Sequence, residues 1–391
     1  MLELSTILAG PYCAMVLADL GADVIKVEPP EGDPTRGYGP PWVGPAQADG
    51  ERIAVYYLSV NRNKRSLRLD LHSAAGMEVV RRLIGKSDVL IENFRPGALD
   101  RLGLDDTALA ALNDKLVHLS ITGYGPSGPD AAKPGFDFVA QAVGGLMSVT
   151  GFPDDAGGQP TKTGVAISDV VTGLLGAVGV LAALRAGVGQ RIDISLLEAT
   201  LAALINQAHN AFATGAQPAR RGNAHPNIVP YETFATADGE IAVAVATERQ
   251  WPRLCQALDM PELVDDPLFA TNDARVRNRD ELWPRLAASF ATRPSSAWLA
   301  ALDAAQVPSG PVNDILAAFA QPQAVARAMR VDVTHPALGV MPQVGIPFKL
   351  SVTPASIRSA PPLLGEHAET ILHEIGYTAG EISELRRNGS I

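Results

Sequence analysis

The side chain best suited to covalent chemistry is Asp169, which stands at the front of a long apolar segment. The segment is predicted to form a helix, with Gly173, Gly176 and Gly179 along it. A helix N-terminus has unpaired backbone N–H groups and a partial positive charge, which favour an ionised carboxylate. An ionised carboxylate can act as a nucleophile. An aspartate near a helix start is more often only a cap, so its position alone leaves both interpretations open.

A second candidate is the segment 92–101, which follows a predicted strand and therefore lies at the carboxyl edge of a parallel sheet. Ligands bind at that edge in open α/β folds. Asn93 could hydrogen-bond an adenine or an amide, Phe94 could stack on a ring, and Arg101 could meet a phosphate. An ordinary turn with a surface arginine is the equally good alternative. The basic run 63–66 could likewise hold a phosphate or be a solvated turn.

Several common classes of site are missing from the sequence. No G-x-G-x-x-G opens a helix after a first strand, and neither a Walker A lysine loop nor a G-x-S-x-G elbow is present. The seven histidines show no metal-ligand spacing, and two cysteines cannot build a disulfide framework. We therefore expect no metal and no nicotinamide chemistry.

Composition narrows the class further. The 391 residues are 47% hydrophobic and 19% charged, with a formal net charge of -10, which favours a folded protein and disfavours nucleic acid as a partner. The most apolar run, 170–184, has about 15 residues, whereas about 20 are needed to span a bilayer. No lysine or arginine precedes the apolar run 8–18, unlike in a signal peptide. These patterns predict a cytoplasmic protein with no membrane segment.

The elements that would position these residues alternate between strand and helix in the first half of the chain. Strands are predicted at 23–27, 66–71, 88–92, 117–122 and 191–195, with a helix over 74–84. The alternation is typical of βαβ units and a parallel sheet, so the fold class is α/β. The pattern changes after about residue 225. We predict a large Rossmann-like domain over 1–225, a small α+β domain over 226–328, and a C-terminal return to the large domain over 329–391.

The segments taken together resemble the class III CoA-transferases, the group typified by formyl-CoA transferase. The resemblance follows the whole chain in order, which makes it far more specific than any one motif. The matching segments are 9–11, 20–28, 61–65, 92–102, 123–125, 163–164 with Asp169, 345–349 and 363–367.

The resemblance implies a function and a set of site residues. The carboxylate nucleophile of the family falls on Asp169, which would carry CoA as a covalent aspartyl-CoA intermediate. The substrates would be an acyl-CoA donor, with succinyl-CoA a candidate, and a carboxylic acid acceptor, with no permanently bound cofactor. The family also implies an interlocked homodimer. Its CoA-contacting positions fall on Ile7, Leu8, Ala9, Leu69, His72, Asn93, Phe94 and Arg101, and Lys133 lies within about a residue of a further basic contact.

The sequence departs from formyl-CoA transferase at two places. The loop 221–227 replaces a run of glycines that covers the active site, and Leu8 replaces a polar side chain near the acyl group. Both departures argue against oxalate and formate as substrates. The chain also begins several residues short of the usual first strand.

Two alternative functions follow from the same superfamily. The α-methylacyl-CoA racemases carry a catalytic histidine at the position of Phe136. A 2-methylacyl-CoA racemase needs a second acid/base group to return the proton, and phenylalanine cannot supply one. A non-catalytic CoA-binding protein is the third interpretation, and the presence of Asp169 at the nucleophile position disfavours it.

Overall fold

The computed structural model describes residues 1–44 and 52–391, which form two compact units. Unit 1 contains Met1–Leu146, Thr163–His209 and Pro322–Ile391. Unit 2 contains Met147–Lys162 and Asn210–Gln321. The sequence analysis did not predict that residues 147–162 belong to a different unit from their neighbours. The division into domains at 1–225, 226–328 and 329–391 stays a prediction.

The described elements alternate between strand and helix through the first half of the chain. The strands are β1 (Leu2–Glu3), β2 (Val24–Glu28), β3 (Trp42–Val43), β4 (Ile53–Ala54), β5 (Lys64–Arg68), β6 (Val89–Glu92), β7 (Val117–Thr122), β8 (Gln190–Ser195), β9 (Tyr231–Ala235), β10 (Glu240–Ala244), β11 (Ser309–Pro311), β12 (Arg330–His335) and β13 (Gly339–Val344). The helices are α1 (Ala9–Asp19), α2 (Val55–Leu58), α3 (Ala74–Gly85), α4 (Ala98–Arg101), α5 (Asp106–Leu112), α6 (Asp137–Val143), α7 (Leu146–Val149), α8 (Ile167–Ala186), α9 (Leu196–Ala203), α10 (Ile205–Thr214), α11 (Gln250–Ala257), α12 (Asn272–Arg277), α13 (Arg279–Phe290), α14 (Ser295–Ala304), α15 (Ile315–Ala320), α16 (Pro322–Ala326), α17 (Ala368–Glu374) and α18 (Ala379–Arg387).

Unit 1 is built on a six-stranded sheet in the order β5-β2-β1-β6-β7-β8, and all neighbouring strands run parallel. The predicted α/β class with a parallel sheet is therefore confirmed. All five predicted strands belong to this sheet. The sequence missed β1, since two residues are too short to show a period, yet β1 lies in the middle between β2 and β6.

Helices cover both faces of this sheet. Val89 and Ile91 of β6 contribute to a core with α1 and α8, while Leu90 between them contributes to a core with α3, α17 and α18. This alternation follows from the two-residue period of a strand. Because both faces are buried, the carboxyl edge of the sheet is left as the place for a site.

Unit 2 has its own sheet and its own core. The strands β11-β10-β9 pair antiparallel, and an aromatic cluster lies against them. Phe290 stacks on Phe234 with ring centroids 4.6 Å apart and meets Trp298 edge-on at 5.2 Å. The strands β12 and β13 form a further antiparallel pair, which belongs to unit 1.

Helix α8 corrects one argument made from the sequence. It has 20 residues, against the about 15 counted from the apolar run. It is the one helix in the described ranges that is long and apolar enough to cross a membrane by length and composition. Its small residues pack against α1 and the sheet, as in a core helix. The absence of a membrane segment stays a prediction.

The first turns of α1 and α8 lie in contact because α8 has a glycine where they meet. A Cβ atom added at Gly173 would lie 2.7 Å from the Ala9 carbonyl oxygen and 3.1 Å from Tyr12 Cδ1. At Gly179, further along, the nearest atom to such a Cβ would be Ile192 Cγ2 at 3.4 Å. The glycines of α8 therefore differ in purpose, and Gly173 sets the distance between the two helix starts.

We predict that Gly173→Ala destabilises the protein by at least about 2 kcal/mol, because backbone atoms cannot move aside as a flexible side chain can. Gly179→Ala is the matched control. It makes an ordinary contact and should be neutral, or stabilising by up to about 1 kcal/mol, since alanine favours a helix. Urea unfolding of both variants measures the difference. Equal stability of the two variants would contradict the packing described here.

Candidate active site

One cavity of unit 1 gathers most of the residues singled out from the sequence. Its wall comes from loops that follow β1, β6 and β7, so it lies at the carboxyl edge of the sheet as predicted for an open α/β fold. Asp169 is the acidic residue in its lining. The lining residues are Thr6, Ile7, Leu8, Ala9, Asn93, Phe94, Arg95, Pro96, Ile121, Thr122, Gly123, Ala131, Lys133, Pro134, Gly135, Phe136, Asp169 and Leu196.

Asp169 is the third residue of α8, and the cap of that helix comes from another element. Ala166 at the N-cap offers no side-chain hydrogen bond. Instead, Oδ1 of Asp137 in α6 accepts from the backbone N–H of Ser168 at 2.8 Å and from that of Asp169 at 3.4 Å. Asp137, and not Asp169, is therefore the residue that caps α8. The carboxylate of Asp169 faces the cavity.

A buried glutamine holds the loop before α8. Gln141 Oε1 accepts from the Thr163 backbone N–H at 2.9 Å, and its Nε2 donates to Asp137 Oδ2 at 2.7 Å. Gln141 is fully buried. Since Asp137 and Gln141 lie one turn apart in α6, this helix fixes both the loop and the start of α8.

The electrostatics of Asp169 differ from the expectation for a helix start. Burial raises the pKa of its carboxyl to about 7, and the neighbouring Asp137 carboxylate adds to the rise. Desolvation and a like charge therefore act against the helix N-terminus, which by itself favours the ionised form. At neutral pH both the ionised and the protonated forms are populated.

Tyr56 is a neighbour of this pair that the sequence analysis missed. Burial raises the pKa of its hydroxyl, and the charges of Asp169 and Asp137 raise it further. Its ring meets Tyr38 edge-on, with centroids 5.6 Å apart. Nothing in the short helix α2 distinguishes Tyr56 from Tyr57, which is fully buried, so the sequence held no signal for it.

The start of α1 forms another part of the cavity wall. Leu8 is the N-cap residue, and no side chain caps the helix. The first N–H groups of a helix have no acceptor within it. Leu8 and Ala9 line the cavity, and the contact of Ala9 with Gly173 places this helix start beside the first turns of α8. The start of α1 and the Asp169 carboxylate thus line one cavity.

The predicted CoA-contacting residues divide into two groups. Ile7, Leu8, Ala9, Asn93, Phe94 and Lys133 line the cavity with Asp169. Leu69, His72 and Arg101 are not part of its lining: the Leu69 side chain is in the core, and the other two are exposed. Contact of these nine residues with CoA stays a prediction.

Two further details refine the basic and polar part of the wall. Arg95 lines the cavity although the sequence analysis named only its neighbours. Lys133, which is exposed, pairs with Asp130 at 2.7 Å. The side chain of Asn93 accepts from the Thr6 N–H at 2.9 Å and donates to the Thr6 carbonyl at 2.8 Å. Asn93 therefore anchors a loop of the wall, in addition to the contact with CoA predicted for it.

The described residues offer no set of ligands for a metal ion. Across residues 1–44 and 52–391, no group of three or more His, Cys, Asp or Glu side chains has an arrangement that could hold a metal ion.

We predict that Asp169→Asn stabilises the protein at pH 8 and leaves its stability at pH 4 nearly unchanged. Folding raises the pKa of Asp169, so the protonated carboxyl is the form that favours the folded state. This stabilisation is fully present below about pH 4 and is lost as the pH rises through about 7. The variant should gain roughly 2 to 4 kcal/mol on going from pH 4 to pH 8 relative to wild type. Denaturant unfolding at both pH values measures this, with the exposed Asp303→Asn as control. Parallel pH dependences of Asp169→Asn and wild type would contradict the raised pKa.

The chain is similar to known proteins along nearly its whole length. The family model of CoA-transferase family III matches residues 1–368. A "Succinate--glutarate CoA-transferase" of Agrobacterium fabrum is 44% identical over 381 residues, which cover 96% of this chain and 94% of that protein. A "Succinyl-CoA:mesaconate CoA-transferase" of Haloarcula hispanica is 37% identical over 391 residues, covering 97% of this chain and 96% of that protein.

A solved structure shows the same fold. The crystal structure of a CAIB/BAIF family protein from Brucella suis superposes with a TM-score of 0.83 at 43% sequence identity, covering 96% of this chain and 97% of that one. The resemblance drawn from the sequence is thereby confirmed. The chain belongs to CoA-transferase family III and is a class III CoA-transferase.

Proposed function

We propose that this enzyme moves CoA from succinyl-CoA to a dicarboxylic acid acceptor through a covalent aspartyl-CoA intermediate on Asp169. The observation that carries the proposal is the placement of Asp169 in a cavity with the segments 6–9, 93–96 and 133–136. Among the lining residues that the structure describes, Asp169 is the acidic one. Two relatives whose names include succinate or succinyl-CoA with a second dicarboxylate, glutarate or mesaconate, support the choice of substrates.

The transfer proceeds by acyl exchanges at carbonyl carbons. The Asp169 carboxylate attacks the thioester carbonyl of the donor, which gives a mixed anhydride and releases CoA thiolate. The thiolate then attacks the Asp169 carbonyl of that anhydride, giving aspartyl-CoA and free donor acid. The acceptor carboxylate attacks aspartyl-CoA, releases CoA thiolate and forms a second anhydride. The thiolate finally attacks the acceptor carbonyl, which yields acceptor acyl-CoA and restores Asp169.

The residues around Asp169 suit both the attack by its carboxylate and the stabilisation of the oxyanion that the attack produces. With its pKa raised to about 7, the carboxylate is more basic than an exposed aspartate, and a substantial fraction is ionised at neutral pH. A more basic carboxylate is a better nucleophile. The tetrahedral oxyanion that forms at each attack needs hydrogen-bond donors. We assign the backbone N–H groups of Leu8 and Ala9 at the start of α1 to it as donors.

The two ends of the substrate need different partners. Arg95 and Lys133 carry positive charge at the cavity wall and suit the phosphates of CoA. Leu8, Phe136 and Leu196 are apolar residues of the lining, and we assign the methylene carbons of the succinyl chain to them. We further propose that the enzyme acts in the cytoplasm, where acyl-CoA substrates are found.

A homodimer is part of the proposal, and the outward face of α8 supports it. This face leaves large apolar side chains exposed to between 37% and 62%, far more than a solvent-facing helix needs. We propose that a second copy of the chain packs against this face of α8 and buries it. The residues are Leu174, Leu175, Val178, Leu181 and Leu184.

We predict that Asp169→Ala lowers the transfer rate at least a thousandfold while circular dichroism shows an intact fold, because the covalent intermediate cannot form. The assay supplies succinyl-CoA with a panel of dicarboxylic and monocarboxylic acids and detects new acyl-CoA esters by mass spectrometry. Retention of activity within about tenfold, a barrier change of about 1.4 kcal/mol, would contradict the assignment. A wild-type enzyme that accepts only monocarboxylates would contradict the proposed acceptor.

The same preparation tests the racemase alternative. A racemase must exchange the α-proton of a 2-methylacyl-CoA, since its chemistry passes through an enolate. A transferase never breaks that C–H bond, and Phe136 offers no proton carrier. We predict no incorporation of deuterium at the α-carbon in D₂O. Exchange at a catalytic rate would mean that the racemase interpretation is correct.

We predict a dimeric mass in solution without detergent, measured by light scattering at micromolar concentration. Val178→Glu, which places a charge in the exposed apolar face of α8, should shift the mass toward the monomer. A monomeric wild type, or a protein that stays in solution only with detergent, would contradict a second copy as the cover of this face.

A further inference from the structure

We propose that Asp33 is a positioning residue for the transfer reaction, because it holds Ile7 in a strained conformation that sets the direction of the Leu8 and Ala9 N–H groups. The inference rests on the proposed function, which assigns those groups to the reaction's oxyanion. Asp33 is not part of the cavity lining. It acts through the backbone of Ile7.

Ile7 is the strained element. Its φ is +71°, in the left-handed region that β-branched residues rarely adopt. Such a conformation is costly for an isoleucine and persists only where the surroundings impose it. Ile7 lines the cavity and comes directly before Leu8, the N-cap of α1. A change in the φ of Ile7 would therefore rotate the start of α1 relative to Asp169.

Asp33 is placed to impose this conformation. The Ile7 N–H lies 3.3 and 3.4 Å from the two carboxylate oxygens of Asp33, which accept from it. The carboxylate is fixed on its other side, where Oδ1 accepts from the Thr35 N–H at 2.9 Å and from the Thr35 hydroxyl at 2.6 Å. Asp33 is 1% exposed, so water does not compete for these contacts.

A buried lysine completes the support. Lys26 Nζ lies 2.9 Å from Asp33 Oδ2 and donates to the Ser5 carbonyl oxygen at 2.8 Å. Burial alone would raise the pKa of Asp33, but the Lys26 charge and the Thr35 hydrogen bonds lower it below the usual value. Asp33 is therefore a charged acceptor, and charge-assisted hydrogen bonds are the stronger kind.

Three consecutive residues of the loop are thus held by three different side chains. Lys26 binds the carbonyl of Ser5, Asn93 binds both backbone groups of Thr6, and Asp33 binds the N–H of Ile7. Buried charges are costly, and the two charged members, Lys26 and Asp33, are not among the residues that line the cavity. Its position against a strained loop explains its purpose as a support for the cavity wall.

A double-mutant cycle between Asp33 and Ile7 tests the inference. In the wild-type background, Asp33→Asn keeps the shape of the side chain but removes its charge. We expect kcat to fall on the order of 30-fold with KM for succinyl-CoA changed less than about threefold, since oxyanion donors act in the transition state. In the Ile7→Gly background, the same change should cost less than about threefold in kcat, because glycine adopts a positive φ without support.

The outcomes separate positioning from simple structural support. An equal loss of kcat in both backgrounds would overturn the inference, because the effect of Asp33 would then not pass through Ile7. The matched control is Tyr57→Phe, which removes the hydroxyl that accepts from Arg36 at 2.6 Å in the adjoining buried network. It should lower Tm and leave kcat within about twofold. If Asp33→Asn alone does not fold, the neutral pair Lys26→Met with Asp33→Asn keeps the ion pair of Glu3 with Lys64 and serves in the same cycle.

A separate experiment distinguishes failure of the proposed function from failure of the role of Asp33. Wild-type enzyme treated with succinyl-CoA and hydroxylamine should yield a hydroxamate on the Asp169 peptide. If no such product forms, the covalent mechanism is wrong, whatever the cycle gives. If it forms and the cycle shows no coupling, only the role of Asp33 is wrong.

Discussion

The close contact between the first turns of α1 and α8 is the constraint on which the rest of the site depends. A carboxylate acts as a nucleophile at a thioester only if donors for the developing oxyanion lie next to it, and side chains between the two helices would keep them apart. Gly173 removes that obstacle, so that the carbonyl of Ala9 approaches the α8 backbone directly. The sheet then supplies the loops that close the cavity, because parallel strands deliver all of them to one edge.

This arrangement places two carboxyl groups close together in a buried site, where a charged carboxylate is poorly solvated. Asp169 is buried beside Asp137, and both burial and that like charge raise its pKa to about 7. Asp137 has a purpose that accounts for its position, since it caps α8 and anchors the loop before it through Gln141. The same neighbour that positions the proposed nucleophile thus also makes it more basic. Stability and reactivity are opposed at this residue, as is common at active sites.

The sequence predicted the large features because they are periodic or punctuated by particular residues. Strands such as Val117–Thr122 and the helix Ala74–Gly85 have bounds that hydrophobic alternation and helical spacing indicate well. Asp169 was predicted to be the nucleophile because a resemblance along the whole chain singled it out. Its position at a helix start could not separate a nucleophile from a cap.

Other features depend on contacts between residues far apart in the chain, and no local pattern reveals them. The cap on α8 comes from Asp137, more than thirty residues away, so its effect on the pKa of Asp169 was not predicted. The left-handed φ of Ile7 contradicts the preference of isoleucine and is imposed by Asp33. β1 is only two residues long, yet it lies in the middle of the sheet. In each case tertiary structure overrides the local signal.

The central claim is that Asp169 forms a covalent bond with each substrate in turn, and the fate of the acceptor's oxygen tests it most directly. The enzyme is given succinyl-CoA and a dicarboxylic acid labelled with ¹⁸O in both carboxylates, and the peptide that contains Asp169 is analysed by mass spectrometry. The mechanism requires one labelled oxygen to pass from the acceptor to the Asp169 carboxylate when the second anhydride is cleaved. We expect ¹⁸O in that peptide after turnover and none when CoA esters are omitted. Labelled product formed at the normal rate with an unlabelled Asp169 peptide would show that the acceptor attacks the donor directly, and would contradict the account.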